Sequence, residues 1–104
     1  MAAISKIRSQ RFENYTEIKL LISHAMENGR NRDPLSGQLV PAHFIQELIV
    51  ELNGKAVIRA ELGGSVSKNP YFSFRLKGAR AGDRINLHWT DNLGLGDKVE
   101  HIIE

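Results

Sequence analysis

A chain of 104 residues and 11.7 kDa has room for one domain around one core, and none for a catalytic domain beside a binding domain. Hydrophobic residues at 41% and charged residues at 25% are ordinary globular values that exclude disordered and collagen-like classes, and no apolar run approaches the roughly 20 residues of a membrane span. Cysteine is absent, which removes disulfides, thiolate metal sites and cysteine nucleophiles without fixing a redox compartment, and a net charge of +2 falls short of the clustered excess of most nucleic-acid binders.

Ile4 and Ile7 mark a short first strand in a basic N-terminal stretch with no apolar run and cleavage site of the signal-peptide kind, so on its own the chain is expected in the cytoplasm. From Tyr15 to Ile22, the residues Ile18, Leu20 and Ile22 alternate with Glu17, Lys19 and Leu21, the period-two pattern of a half-buried strand. Ser23 to Ala42 is a long irregular stretch, and segments of that length are usually functional loops or disordered. From Phe44 to Leu52, Phe44, Leu48, Val50 and Leu52 share one face while Glu47 and Glu51 share the other. Ala56, Ile58, Ala60 and Leu62 follow the Asn53-Gly54 turn. Phe72, Phe74 and Leu76 then alternate with Ser73, Arg75 and Lys77; Ile85, Leu87 and Trp89 alternate with Asn86 and His88; and Val99, His101 and Ile103 close the chain. About seven short strands separated by Gly, Pro, Asn and Asp clusters predict one all-β domain over 1–104, an antiparallel β-sandwich with a barrel as its competitor.

At the Asn53-Gly54 hairpin, parity favours a three-residue loop, Leu52-Asn53-Gly54, with a bulge at Gly54. That register sets Glu51 opposite Lys55, Ile49 opposite Val57, Leu48 opposite Ile58 and Glu47 opposite Arg59, and such pairs contribute about 0.2–1 kcal/mol each. It also gathers Ile45, Ile49 and Val57 on the outward face, where adjacent apolar residues mark a partner surface unless the 23–42 segment covers them.

Catalytic chemistry is thin. His24, His43, His88 and His101 show no metal-ligand spacing, and His101, in phase with Val99 and Ile103, reads as a packed, hydrogen-bonded histidine. Gly94-Leu95-Gly96 follows a strand but leads into another, so no helix N-terminus receives a phosphate there. Glu47 and Glu51 lie roughly 12 Å or more apart along a strand, too far for a paired acid and base. Trp89 reads as a core anchor. Tyr71, Phe72 and Phe74 beside Arg75 and Lys77 suggest a weak single-stranded nucleic-acid platform, but the parity of Phe72 and Phe74 with Leu76 puts both rings inward.

Leu21-Ile22-Ser23-His24-Ala25-Met26-Glu27-Asn28-Gly29, an Arg/Asp-rich loop with Gly37 and Pro41, Phe44 to Gly54, Asn69-Pro70-Tyr71-Phe72-Ser73-Phe74 and Trp89-Thr90-Asp91-Asn92 follow in an order that resembles the SoxZ family of the bacterial sulfur-oxidation (Sox) system. The resemblance runs from about Ile18 to the C-terminus. The family's usual Ser-His-Pro-Met-Glu-Thr-Gly is altered here, with Ala25 and Asn28 in place of the proline and threonine, which frees a backbone N–H in the turn. The resemblance implies an immunoglobulin-like sandwich that is not an enzyme, holds no cofactor or metal, and pairs as a heterodimer with SoxY. In the family, a cysteine on the flexible C-terminal arm of SoxY carries the sulfur intermediates of thiosulfate oxidation, and the complex meets other Sox enzymes transiently. It also implies a periplasmic location, reached by export together with a signal-bearing SoxY, and no nucleic-acid or membrane partner. The expected interface comprises Ile45, Ile49 and Val57 and, in the resembling loops, His24, Met26, Asn69, Pro70 and Tyr71. The rival readings are a small metal or redox enzyme using His24, His43 and Met26, and the weak nucleic-acid binder.

Overall fold

The computed structural model describes residues 3–63 and 65–104. Seven strands follow one another: β1 (Ala3–Arg11), β2 (Tyr15–Ser23), β3 (Ile45–Leu52), β4 (Lys55–Glu61), β5 (Tyr71–Lys77), β6 (Arg84–Asp91) and β7 (Gly96–Ile102). They form two antiparallel sheets, one ordered β1-β2-β5 and the other β4-β3-β6-β7. This is an immunoglobulin-like β-sandwich in which the fourth strand joins the β3-β6-β7 sheet.

The period-two pattern dictates the core. Ile18, Leu20 and Ile22 of β2 are fully buried, and so are Leu48 and Val50 of β3 and Ile85 and Leu87 of β6, with Trp89 2% exposed. The register places Leu48 opposite Trp89 and Val50 opposite Leu87, while Phe74 and Phe72 of β5 face Ile18 and Leu20. Each such side chain removed from water contributes about 1.5–3 kcal/mol before chain entropy is counted. β1 is longer than its two isoleucines predict. Its inner row continues past Ile7 with Ser9, whose Oγ lies 2.8 Å from His101 Nε2 of β7, and the strand ends at the exposed Arg11, whose Nε donates to the Glu104 carbonyl. Hydrogen bonds replace apolar contacts where the two sheets close along that side. His101 is thereby the hydrogen-bonded histidine its phase predicts.

The β3–β4 hairpin corrects the expected register. Asn53 and Gly54 both have positive φ, 51° and 85°, so they form a two-residue turn with Leu52 opposite Lys55 and Glu51 opposite Ala56. The bulge lies three residues further on, at Val57, after which Val50 meets Ile58, Ile49 meets Arg59 and Leu48 meets Ala60. Parity is rescued by a bulge in the strand, because Asn-Gly is already the preferred sequence for a tight turn. A second bulge, at Gln46, separates the Ile45–Asp91 pair from the Glu47–Thr90 pair. It turns Ile45 inward, where it is fully buried, so Ile45 belongs to the core and not to the outward face. Ile49 and Val57 remain outward, the first half-buried and the second 43% exposed.

The stretch between β2 and β3 is an ordered excursion. Its two limbs are joined by bridges at Glu27–His43 and Arg32–Leu39, and its turn is organised by Asp33, whose Oδ1 accepts the N–H groups of Leu35 and Ser36. The tip residue Leu35 is 97% exposed. At the start of β7, a Cβ on Gly96 would collide with the Trp89 carbonyl oxygen, so only glycine lets the β6–β7 turn close.

Candidate functional site

Four separate stretches of chain meet at one end of the sandwich. His24 follows the last residue of β2, His43 and Phe44 precede β3, Asn69 and Pro70 precede β5, and Asp91 ends β6. Each stretch is tied to another through backbone groups. The Asn69 Oδ1 accepts the His24 N–H at 3.0 Å while the Asn69 N–H donates to the His24 carbonyl at 2.9 Å. Glu27 and His43 exchange backbone bonds of 2.7 and 2.8 Å. Asn92 accepts the Phe44 N–H on Oδ1 and donates from Nδ2 to the Ala42 carbonyl. Met26 and Asn69 hold positive φ values of 49° and 53°, a conformation asparagine tolerates better than most residues and methionine does not. The Met26 strain is held by its own contacts, since its N–H donates to His24 Nδ1 and its sulfur accepts the Ile45 N–H.

The centre is a buried carboxylate between two imidazoles. Asp91 Oδ1 accepts the Leu93 and Leu95 N–H groups at 3.0 and 2.9 Å. Its Oδ2 lies 2.7 Å from His43 Nε2 and 3.4 Å from His24 Nε2. Burial pushes the Asp91 carboxyl up, but the His43 bond, the two backbone N–H groups and the His24 bond together outweigh it and hold Asp91 below the ordinary carboxylate range. For His24 burial wins: it lowers the imidazole more than the Asp91 bond raises it, with His43 adding to the lowering. The two imidazoles meet edge to face at 4.6 Å, and His24 meets the Trp89 ring in the same way at 5.4 Å.

The ligand atoms of His24, His43 and Asp91 all fall within 4.8 Å of one another, a spacing a metal ion could use. The hydrogen bonds of His24 oppose that use. A neutral histidine ligating through Nε2 carries its proton on Nδ1 and donates it outward, whereas Nδ1 here accepts the Met26 N–H. His24 is therefore the tautomer that donates from Nε2 to Asp91, and the Met26 sulfur is engaged with the Ile45 N–H. Both Asp91 oxygens are already accepting, Oδ1 from the Leu93 and Leu95 N–H groups and Oδ2 beside the two imidazoles. What the corner does chemically is hold four chain segments in one geometry.

Of the eight residues expected at an interface, His24, Met26, Pro70 and Ile45 are buried within this chain, and the contacts of His24, Met26 and Ile45 are internal. Tyr71, 58% exposed, Asn69 and Val57 reach the surface and Ile49 is half-buried. His24 and His43, which sequence spacing does not join and which only the rival enzyme reading uses together, meet around Asp91, a residue that the apolar alternation of β6, ending at Trp89, does not mark. The Asp91-Asn92-Leu93-Gly94 turn signature was the available signal.

The fold and the corner together define a small immunoglobulin-like β-sandwich with a buried His-Asp-His network at one end. The chain belongs to the SoxZ family, whose model, described as sulphur oxidation protein SoxZ, matches residues 4–101. Its place is thus in the Sox sulfur-oxidation system. No curated protein matches the chain. Four of the five stretches that carry the resemblance, those around His24, Phe44, Asn69 and Asp91, converge on the corner.

Proposed function

We propose that this chain is a non-catalytic subunit that binds and stabilises a SoxY-like protein, whose C-terminal cysteine carries sulfur intermediates during thiosulfate oxidation, and that helps present this carrier to Sox enzymes. Family membership across residues 4–101 carries the reading. Two properties support it. The 104 residues hold no thiol on which sulfur could ride, and the imidazoles and carboxylate of the corner are engaged with one another and with backbone groups. Ile49 and Val57, on the outer face of the four-stranded sheet with Ile102 of β7, are apolar residues available for pairing. The compartment belonging to this reading is the periplasm, reached by co-export with a signal-bearing SoxY.

Co-expression with a SoxY-like protein, followed by size exclusion with light scattering, is expected to give one heterodimer at micromolar concentration; two separate monomers would overturn the proposal. Within the complex, Ile49→Asp is expected to weaken pairing by more than about 1 kcal/mol, and an unchanged dissociation constant removes that face. The rival metal enzyme has the His24, His43 and Asp91 spacing in its favour, and stoichiometric metal in the purified protein would restore it.

A further inference from the structure

The outer faces of the two sheets carry charge in opposite ways. On the β4-β3-β6-β7 face, Glu47 pairs with Arg59 at 3.5 Å, Glu51 with His88 at 3.1 Å and Arg84 with Glu100 at 3.4 Å. On the β1-β2-β5 face, the register sets Lys6, Leu21 and Tyr71 in one row, Arg8, Lys19 and Ser73 in the next, then Glu17 with Arg75, then Tyr15 with Lys77. Five cations thus share that face with one carboxylate, a net of +4 on a chain whose total is +2, so all the remaining surface nets −2. Glu17 is engaged by Lys19 at 3.4 Å, and Arg75 lies 5.0 Å over the Tyr15 ring. Among the described residues no ion pair holds Lys6, Arg8 or Lys77.

Arg8 and Lys19 are direct cross-strand partners, and like charges so placed destabilise a sheet. An isolated domain gains nothing from that arrangement, whereas an anionic surface laid across it turns the repulsion into attraction. Beside the pair, Lys6, Arg8, Lys19, Leu21 and Tyr71 line a shallow groove of about 290 Å³. We propose that this face docks a carboxylate-rich protein surface in short-lived encounters. A nucleic-acid strand would need successive exposed rings on which to stack its bases. Phe72 and Phe74 instead pack against the core, and Tyr15 is covered by Phe12 and Arg75, which leaves Tyr71 as the single free ring of the face. Charge-steered contacts of this kind form fast, dissociate fast and weaken with salt, which suits a subunit visited by several proteins in turn. The inference rests on the carrier-subunit reading for that succession of visitors, and it uses the face opposite to Ile49 and Val57.

The probe is a ten-residue polyglutamate peptide, titrated into the full chain and followed by amide chemical shifts. Shifts are expected to be confined to β1, β2 and β5, with binding weakened about tenfold or more as salt rises from roughly 0.02 to 0.2 M. The triple variant R8E/K19E/R75E should lose about tenfold in affinity, while K55E/R59E/K98E, with the same change in net charge on the other sheet, changes it less than about twofold. Arg8→Glu alone should keep or raise the melting temperature, since it places a carboxylate opposite Lys19. Equal losses in the two triple variants, or shifts spread over both faces, would mean general charge attraction and overturn the proposal. Tighter binding of a ten-residue oligothymidylate to the same face would overturn it in favour of nucleic acid. Pairing of R8E/K19E/R75E with a SoxY-like protein, read by size exclusion, should be unaffected; its loss would make this face the heterodimer interface instead. Failure of the unsubstituted chain to pair at all counts against the carrier reading and leaves the peptide result standing.

Discussion

The middle of the sandwich and the centre of the corner at its end, His24 and Asp91, are both buried, yet opposite means hold them. Leu48, Val50, Ile85, Leu87 and Ile18 lie at 0% exposure with apolar contacts alone, so their stability comes from area removed from water. At the corner, His24 and Asp91 are each 3% exposed, and hydrogen bonds of Asp91 with His24 and His43 and of Asn69 with His24 join separate chain segments, while the Leu93, Leu95 and Met26 N–H groups make local bonds within their own. Apolar packing tolerates small displacements and is non-directional. A buried hydrogen-bond network does not tolerate them, and so fixes where four loops sit relative to one another.

Truncation separates the two regions by mechanism. Trp89→Ala is expected to destabilise by about 3–5 kcal/mol in urea unfolding, through cavity formation at the centre of the core. Part of that loss is offset, because the Trp89 Nε1 is buried without a partner among the described residues. Asp91→Ala should cost about 3 kcal/mol by a different route, leaving the Leu93 and Leu95 N–H groups and two imidazoles without their acceptor. Asn69→Ala comes next at about 1–2 kcal/mol, since it removes the acceptor of the His24 N–H and puts alanine at φ 53°. If Asp91→Ala were as mild as a surface change, the network would be incidental and the comparison would collapse.

The two regions also differ in how far the sequence exposes them. Strands half-buried in a sandwich leave an alternating trace, and Ile18, Leu20, Ile22 or Ile85, Leu87, Trp89 can be assigned to the interior from it. The trace fails where the chain breaks period: the bulges at Gln46 and Val57 have no compositional marker, so Ile45 is placed on the wrong side and the hairpin bulge three residues early. It fails also along β1, where the half-buried Ser9 takes an inner position through its hydrogen bond to His101 of β7. The corner has no period at all. Residues 24, 43, 69 and 91 are brought together by topology, and only the family resemblance, by quoting those stretches together, indicates that they belong to one feature.

Acid should act on the corner before it acts on the core. Burial lowers the folded-state pKa of His24 from the ordinary 6.5, so its contribution is complete above pH 6.5 and is lost as the pH falls toward the folded value. Asp91 is lowered from 3.8, so its contribution is complete above that pH and is lost as the pH falls through its folded value. Asp83, lowered mainly by the Arg80 N–H, adds to the same acidic limb. The urea midpoint of the unsubstituted chain should therefore decline below about pH 6.5 and again below about pH 4. His24→Asn, which keeps an acceptor near Met26, is expected to flatten the first decline, and Asp91→Asn the second. An unchanged first decline in His24→Asn would remove His24 as its cause.

The smallest effect belongs to the paired outer face and marks the lower bound of the comparison. Arg59 and Glu47 meet at 3.5 Å with side chains 64% and 34% exposed, and they sit diagonally across the β3–β4 ladder because Arg59 is the direct partner of Ile49. An exposed pair of this kind is worth roughly 0–1 kcal/mol and fades with salt. Arg59→Ala and Glu47→Ala should each shift stability by less than about 1 kcal/mol, with a coupling in the double-mutant cycle that vanishes near 1 M salt. A coupling that survived high salt would mean that the bulge at Val57 holds this pair in a fixed, partly desolvated geometry. In that case the bulge would position charge on the outer face in addition to restoring the parity of the hairpin.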